Sequence, residues 1–272
     1  MLVTGASSGV GLAAAQGLAA RGANLWLLCR DAQRGEAALD SCRRTSGSGR
    51  LELLLADLAS QDEIRSVAAE FLGQNEPLHV LVNNAAGVFF ERTETVDGIE
   101  STLAVNHVAP FLLTHLLLPR LLESAPARVI NVASAGHRTG RIRIDDLGCR
   151  VHSYQGLVQY SHTKLANVLF SNELARRLEG SQVTSNALHP GGIQTDIMRD
   201  NNFLIRWITR LMFKPVTEGA KTSVMLASDP ELAGVSGRYF DQCEEKPPGG
   251  KALDPELADR LWKHSAELVG MD

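Results

Sequence analysis

Tyr160 and Lys164 lie four residues apart in the stretch QYSHTKLANVLF, which spans residues 159–170. The spacing of the apolar residues around them indicates a helix, and residues i and i+4 are neighbours on a helix surface. An ammonium beside a phenol stabilises the phenolate, so Lys164 would lower the pKa of Tyr160. A solvated pair on the helix surface is the alternative for this motif taken alone. The other motifs of the chain must decide between the two interpretations.

A glycine-rich turn follows the first apolar residues of the chain. It reads Thr4-Gly5-Ala6-Ser7-Ser8-Gly9-Val10-Gly11 and opens the first predicted helix. Glycines let the backbone turn tightly and approach a pyrophosphate, whose charge is stabilised by the amide groups at a helix N-terminus. A purely structural turn between strand and helix is the alternative. The candidate cofactor-binding residues of this turn are Gly5, Ser7, Ser8, Gly9, Val10 and Gly11.

Two charged residues, Arg30 and Asp31, end the second apolar run of the chain. At this position, about 20 residues past the glycines, an acid binds the ribose hydroxyls of NAD and an arginine binds the 2′-phosphate of NADP. Arg30 comes first and Arg34 lies one helical turn on, so the sequence favours NADP over NAD, although Arg34 could equally be a solvated residue. Asp57, after the third run, could bind the adenine amine or cap the next helix.

Polar residues also follow the later apolar runs. The motif NNAAG, which contains Asn84, occupies 83–87, and Asn106 lies inside an apolar helical stretch. A buried asparagine there needs a hydrogen-bonding partner, and a distorted helix is the plainer account. Ser134 ends the fifth run, 26 residues before Tyr160 in the sequence. The candidates after the sixth run are Pro190, Gly191 and Thr195.

Apolar runs of strand length alternate with helical patterns along the chain. Beyond a short first strand at 1–3, the strands are predicted at 25–29, 51–56, 79–82, 128–132 and 183–188. The helices are predicted at 9–21, 31–44, 60–74, 100–123, 158–179 and 254–268. This alternation predicts an α/β fold with a doubly wound, Rossmann-like parallel sheet, as a single domain over residues 1–272. Such sheets bind ligands at the carboxyl ends of their strands, where the motifs above lie.

The composition excludes several classes of function. A net charge of −4 without a basic stripe argues against a nucleic-acid partner. The 4 cysteines show no CxxC or metal-ligand spacing, and the histidines have no metal-like partners, so we predict no metal site and a reducing compartment. No apolar run reaches the roughly 18 residues of a membrane-spanning helix. We therefore expect an intracellular protein, either cytoplasmic or peripheral to an internal membrane.

TGxxxGxG, NNA, an embedded asparagine, a serine, YxxxK and PG occur in this order over nearly the whole chain. Together they resemble the short-chain dehydrogenase/reductase family. The stretches VNHVAPFLLTHLLLP, YSHTKLANVLF, ALHPGGIQTD and SGRYFDQC are similar to the retinol dehydrogenase subgroup. The resemblance implies an NADP-dependent oxidoreductase that interconverts a carbonyl and an alcohol on an apolar substrate, such as retinaldehyde or another lipophilic carbonyl compound.

The resemblance also implies a role for each catalytic candidate. Tyr160 would protonate the carbonyl oxygen, or act as the base in the reverse direction. An unperturbed phenol has a pKa near 10, so Lys164 and the nicotinamide charge would be needed to lower it. Lys164 would also bind the nicotinamide ribose, Ser134 would bind the substrate oxygen, and Asn106 would hold a water linking Lys164 to solvent.

Two departures leave an alternative open. The family's usual glycine after NNA is Ala86 here, which adds a methyl group beside the cofactor, and the first strand is short. Both features would suit a catalytically weak nucleotide-binding protein that acts through partner contacts. The joint presence of Asn106, Ser134, Tyr160 and Lys164 argues against that alternative.

A substrate lid is expected at about 192–215, after Pro190 and Gly191. Its apolar segment 203–213 could line a channel for a long hydrophobic substrate, make a peripheral membrane contact, or pack on the core. The resemblance further implies a possible homodimer through the helices that carry Asn106 and Tyr160.

Overall fold

Short buried strands and longer helices alternate along the chain. The computed structural model describes residues 1–47, 49–191 and 215–271. The strands are β1 Leu2–Thr4, β2 Leu25–Cys29, β3 Leu51–Leu55, β4 Val80–Asn83, β5 Ala127–Val132, β6 Val183–His189, β7 Tyr239–Asp241 and β8 Glu244–Glu245. The helices are α1 Gly9–Ala19, α2 Ala32–Thr45, α3 Gln61–Gly73, α4 Ser101–Glu123, α5 Gly156–Arg177, α6 Val216–Ser228 and α7 Pro255–Leu268.

The strands form one sheet in the order β3-β2-β1-β4-β5-β6-β7-β8. Strands β1 to β7 are parallel, and β8 pairs antiparallel with β7. The order reverses between β1 and β4, which is where a doubly wound sheet opens a crevice for a ligand. The predicted α/β fold, with a doubly wound sheet in a single domain, is therefore confirmed.

The first strand is short but central. Leu2 and Val3 are fully buried, and each pairs with β2 on one side and β4 on the other. The two short strands β7 and β8 were not predicted, because three and two residues are too few to show an alternating pattern.

Helices cover both faces of the sheet. One core joins alternate strand residues such as Trp26 and Leu81 to the inner faces of α3, α4 and α5. The other core joins Val3, Leu27 and Val82 to α1, α2 and α6. Successive residues of a strand point to opposite faces, which explains why these strands are apolar throughout.

Helix α4 is interrupted by a π-turn over Ala104–Val108. Pro110, two residues after the turn, has no N–H to donate to the carbonyl of Asn106, so the regular i to i−4 ladder cannot continue there. Within the turn, the N–H of Ala109 instead reaches the carbonyl of Ala104. The helix distortion considered from the sequence is therefore present, and it carries Asn106.

The span Ser101–Glu123 is long and apolar enough to cross a membrane by length and composition. However, 78% of its most apolar window is buried inside the fold. Phe111, Leu112, Leu113 and Leu117 all lie in the core beside α3 and α5. Its apolar character is accounted for by packing within the domain.

Helix α7 lies across the outer faces of α4 and α5. The Trp262 ring packs against Phe111, His115 and Phe170, with centroid distances of 5.2, 4.8 and 5.8 Å. Ser265 lies 2.8 Å from Nε2 of the fully buried His107. The chain's own C-terminal helix thus packs against the two helices through which a homodimer was expected.

Candidate active site

A cleft of about 370 Å³ opens at the carboxyl ends of the central strands, within the range of about 300–1,000 Å³ typical of small-molecule sites. Most of the residues selected from the sequence line it. These are Gly5, Ser7, Ser8, Gly9, Val10, Gly11, Arg30, Asp57, Asn84, Tyr160, Lys164 and Pro190. Gly191 follows the lining residue Pro190 in the chain. Thr195, the expected lid and the segment 203–213 lie outside the described residues.

The glycine-rich turn requires its glycines for close packing. Gly5 has a φ of +64° and Gly9 a φ of +56°, which L side chains rarely adopt. A Cβ on Gly11 would lie 2.3 Å from both the Asn84 Nδ2 and the carbonyl oxygen of Gly5. Ser8, at the N-cap of α1, makes no side-chain capping bond. The first amide groups of α1 therefore have no side-chain cap from Ser8 and suit an anion.

Thr4 joins this turn to the loop after β4. Its Oγ1 accepts the N–H groups of Asn84 and Ala85 at 2.9 and 3.0 Å. The Asn84 Nδ2 donates to the Thr4 carbonyl at 2.9 Å. Sequence analysis did not select Thr4, although the threonine that begins the glycine motif was the available signal. The two loops that form one wall of the cleft are thus held at a fixed spacing.

The charged residues after β2 are divided between two tasks. Asp31 caps α2, because its Oδ1 accepts the N–H of Arg34 at 2.8 Å. The guanidinium of Arg30 lies 4.0 Å from Asp57, and the Arg30 side chain is 71% exposed. Ser60, not Asp57, caps α3, so the capping alternative for Asp57 is wrong. Arg30 is left as an exposed cation at the end of the cleft that a cofactor's ribose would reach.

Asn106 is fully buried, and its side chain holds the loop after β4. Its Oδ1 accepts the N–H of Gly87 at 2.8 Å, and its Nδ2 donates to the Gly87 carbonyl at 3.0 Å. The same Nδ2 donates to Thr163 Oγ1 on α5 at 3.1 Å. These partners, which the sequence pattern did not identify, tie the π-turn to the cofactor side of the cleft and to the helix carrying Tyr160.

Lys164 reaches the sheet from α5 as a fully buried cation. Its Nζ donates to the Val132 carbonyl at 2.9 Å and lies 5.4 Å from the centre of the Tyr160 ring. Burial lowers the pKa of Lys164 to about 7. The helix therefore does place the phenol and the ammonium side by side, in the cleft and away from bulk solvent.

Burial also acts on Tyr160, whose pKa it raises above the ordinary value. A hydrogen bond with Ser134 opposes that shift and favours the phenolate. The net effect in the protein itself is a raised pKa for Tyr160, so the lowering expected from the sequence is not seen there. Ser134 itself lies at the N-cap of the 3₁₀ turn Ala135–Arg138, where its Oγ accepts the N–H of Gly136 at 3.2 Å.

A sequence model described as short chain dehydrogenase matches residues 1–203. The chain belongs to the short-chain dehydrogenase/reductase family. Among curated relatives of the family, retinol dehydrogenase 12 of Mus musculus is 40% identical over 274 residues, which cover 100% of this chain and 86% of the relative. Retinol dehydrogenase 14 of Homo sapiens is 42% identical over 290 residues, with 100% and 86% coverage. The resemblance to the retinol dehydrogenase subgroup is confirmed.

Solved structures share this fold. An uncharacterized protein from Mycobacterium paratuberculosis has a TM-score of 0.80 and 31% identity, covering 99% of this chain and 92% of that chain. A short-chain dehydrogenase from Burkholderia cenocepacia J2315, solved in complex with NADP, has a TM-score of 0.69 and 25% identity, covering 88% and 94%. As a member of the family, this short-chain dehydrogenase/reductase is an oxidoreductase that uses a nicotinamide cofactor.

Proposed function

We propose that this oxidoreductase uses NADP(H) to interconvert a carbonyl and an alcohol on a lipophilic substrate of the retinaldehyde and retinol type. The observation that carries the proposal is that one cleft gathers the glycine-rich turn, Arg30, Tyr160 and Lys164. The relatives named retinol dehydrogenases support the substrate class.

The residues of the cleft fit a dinucleotide. Gly5 and Gly11 let the turn pack closely on the loop after β4, while the open space beside Gly9 and the N-terminus of α1 leave a cradle for the pyrophosphate. Asp57 would accept the adenine amine, Asn84 would line the adenosine side, and Pro190 and Gly191 would border the nicotinamide. Thr195, also expected to bind the cofactor, lies outside the described residues. When bound, the cofactor would supply or accept the hydride.

Arg30 supports the choice of NADP. Its exposed guanidinium can form a charge-assisted pair with a 2′-phosphate. Asp31, the residue that would favour NAD, already accepts the N–H of Arg34 as the cap of α2. Two neighbouring structures were solved with NADP or NADPH, which agrees with this preference.

Tyr160, Ser134 and Lys164 would then carry the proton chemistry. The Tyr160 hydroxyl gives its proton to the substrate oxygen during reduction, and the Ser134 hydroxyl donates a hydrogen bond to the same oxygen as charge develops. In its protonated form, Lys164 stabilises the phenolate that remains. Alcohol oxidation uses the same groups in reverse, with the Tyr160 phenolate as the base.

Asn106 would act by its backbone instead of its side chain. Its amide group already binds Gly87 and Thr163. Its carbonyl has no i+4 N–H partner because Pro110 lacks one. A water that links Lys164 to solvent would therefore bind the carbonyl of Asn106.

Cofactor titration and turnover test the proposal together. NADPH and NADH are titrated by fluorescence, and reduction of all-trans-retinaldehyde, a long-chain aldehyde and a short polar ketone is then followed. We expect tighter NADPH binding and the highest kcat/KM with the apolar aldehydes. NADPH binding without turnover of any carbonyl would favour the catalytically weak nucleotide-binding alternative, whereas preference for NADH would overturn the assignment of Arg30.

A further inference from the structure

His137 is a buried histidine that lies in the 3₁₀ turn directly after Ser134. Its Nδ1 lies 2.6 Å from the carbonyl oxygen of Ser134. On the other side of the ring, Nε2 accepts the N–H of Gly249 at 2.9 Å. The imidazole therefore spans from the backbone of Ser134 to a loop that precedes α7, more than 100 residues further along the chain.

The two partners determine the tautomer of His137. A carbonyl oxygen can only accept, so Nδ1 must carry the proton that it shares with Ser134. The amide of Gly249 can only donate, so Nε2 must be without a proton. The bridge therefore exists only while the ring is neutral.

The loop around Gly249 is docked closely on the turn that carries Ser134. Arg138 donates from Nη2 to the Pro247 carbonyl at 2.9 Å. A Cβ on Gly249 would lie 3.2 Å from the Arg138 Cα, which is tighter than ordinary contact. The Tyr239 ring packs on His137 with a centroid distance of 4.8 Å. The bridge thus sits in a packed environment where the turn and the loop constrain each other.

We propose that His137 is a positioning residue that holds Ser134 in place for the substrate oxygen by bridging its backbone to the Gly249 loop. The proposal rests on the role of Ser134 in the proposed function. The carbonyl of Ser134 accepts both the N–H of His137 at 3.1 Å and the ring proton of the same residue. These two bonds fix the peptide from which the Ser134 hydroxyl extends toward Tyr160.

Protonation of Nε2 would place two N–H groups against each other and break the bridge. The groups facing the ring are Arg138 on its own turn, Tyr239 on β7 and His189 at the end of β6, itself next to Asp241. Burial and Arg138 lower the pKa of His137, while the Ser134 carbonyl raises it, and the net shift is downward. The bridge is therefore intact at neutral pH and is lost as the pH falls through a value below the usual 6.5.

The test combines kinetics with a spectroscopic measurement. We expect kcat of the wild type to fall at acid pH with one ionisation, while the Kd for NADPH stays within about twofold. His137→Phe keeps an aromatic ring against Tyr239 but removes both polar contacts. It should lower kcat at pH 7.5 by about tenfold, the effect of one lost hydrogen bond. The fall of kcat at acid pH, here called the acid limb, should disappear in this variant. His162→Gln, at a half-buried histidine on α5, is the matched control and should keep both kcat and the acid limb.

The nitrogen-15 NMR signals of the His137 imidazole give a readout that does not depend on activity. We expect a protonated Nδ1 and an unprotonated Nε2 at neutral pH, with His137→Phe identifying the signals. The opposite tautomer would overturn the bridge whatever the kinetics show. A folded His137→Phe protein would overturn the positioning role if it kept the wild-type kcat or the fall of kcat at acid pH. If His189→Gln abolished that fall instead, the role would belong to His189. A wild type that shows the expected tautomer without carbonyl turnover would overturn the positioning role together with the proposed function, while leaving the bridge itself in place.

Discussion

Lys164 is a buried cation without an acidic partner in the part of the chain that the structure describes. It has one backbone acceptor, the Val132 carbonyl, and burial lowers its pKa to about 7. A cation placed in this way is unfavourable for folding, and apolar residues often replace buried charges with a gain in stability. Its position beside Tyr160 therefore reflects the chemistry of the site and not the stability of the fold.

Lys164→Met should separate these two effects. The variant should be more stable than the wild type at pH 7, by ~1–4 kcal/mol, while losing activity. Because the folded-state pKa lies below the ordinary value of about 10.5, the unfolded chain binds more protons between these two values. Wild-type stability should therefore rise from about pH 7 toward 9, at no more than about 1.4 kcal/mol per pH unit. Urea unfolding at several pH values measures this slope, and an equal slope in Lys164→Met would contradict the account.

Arg30→Ala should change cofactor choice. Only NADPH carries the 2′-phosphate, so its Kd should rise by at least ~10-fold, a typical loss for a charge-assisted bond, while the Kd for NADH changes little. Arg44→Ala is the matched control, because Arg44 is an exposed arginine in the last turn of α2 and does not line the cleft. Equal losses for both cofactors in fluorescence titrations would remove Arg30 from the phosphate site.

At the residue scale, the sequence predicted the side chains that line the cleft better than it predicted their contacts. Gly5, Tyr160 and Lys164 follow from motif spacing, because local geometry places them. The bond from Asn106 to Gly87 and the bridge from His137 to Gly249 join distant parts of the chain. Such pairs depend on how elements pack, which a single sequence does not specify.

At the element scale, the π-turn in α4 positions one residue for the whole cofactor side of the cleft. Pro110 lies two residues beyond the turn, and the Asn106 side chain reaches from the turn to the loop after β4. The sequence predicted a helix over 100–123 and left open whether Asn106 distorts it or finds a partner. Both occur, because the π-turn lets a buried amide face a loop backbone that also requires hydrogen bonds.

Asn106→Ala should weaken this connection. The variant leaves the backbone N–H and C=O of Gly87 without their partner, and a buried group without a partner costs ~1–3 kcal/mol. We expect a loss of about 2–4 kcal/mol in the free energy of unfolding and weaker NADPH binding. Thr163→Val is the control, since it removes the third contact of Asn106 and a bond from the Thr163 hydroxyl to the Tyr160 carbonyl but leaves Gly87 paired, and it should cost less. Urea unfolding of Asn106→Ala with wild-type stability would show that Gly87 is held by other contacts.

At the scale of the whole molecule, helix α7 completes the apolar layer over α4 and α5. Trp262 packs on Phe111 and Phe170, and the Arg177 guanidinium lies 4.3 Å from the Trp262 ring centre. The sequence predicted this helix and its bounds to within a residue, since its capping Asp254 and apolar spacing are local. It did not predict the surface covered by α7, because an amphipathic pattern does not identify its partner.

Covered in this way, α4 and α5 should not form a homodimer. Light scattering after size exclusion should therefore give the mass of one chain across a wide concentration range. Trp262→Ser should expose Phe111 and Phe170 and promote self-association, and it should lower stability by less than the ~3–5 kcal/mol of a fully buried tryptophan because Trp262 is only partly buried. Leu253→Ser, at a side chain that is 61% exposed, is the control and should leave the mass unchanged. A wild-type dimer cross-linked through α4 and α5 would contradict the covering role of α7.

Proton transfer from Tyr160 is the central claim, and single-turnover reduction by the Tyr160→Phe variant tests it most directly. The variant is premixed with saturating NADPH, and absorbance at the nicotinamide band is followed after addition of an apolar aldehyde. We expect a rate at least ~10²-fold below wild type, as for loss of a general acid, with the Kd for NADPH largely unchanged because the ring remains. Reduction at a rate near that of the wild type would contradict the account.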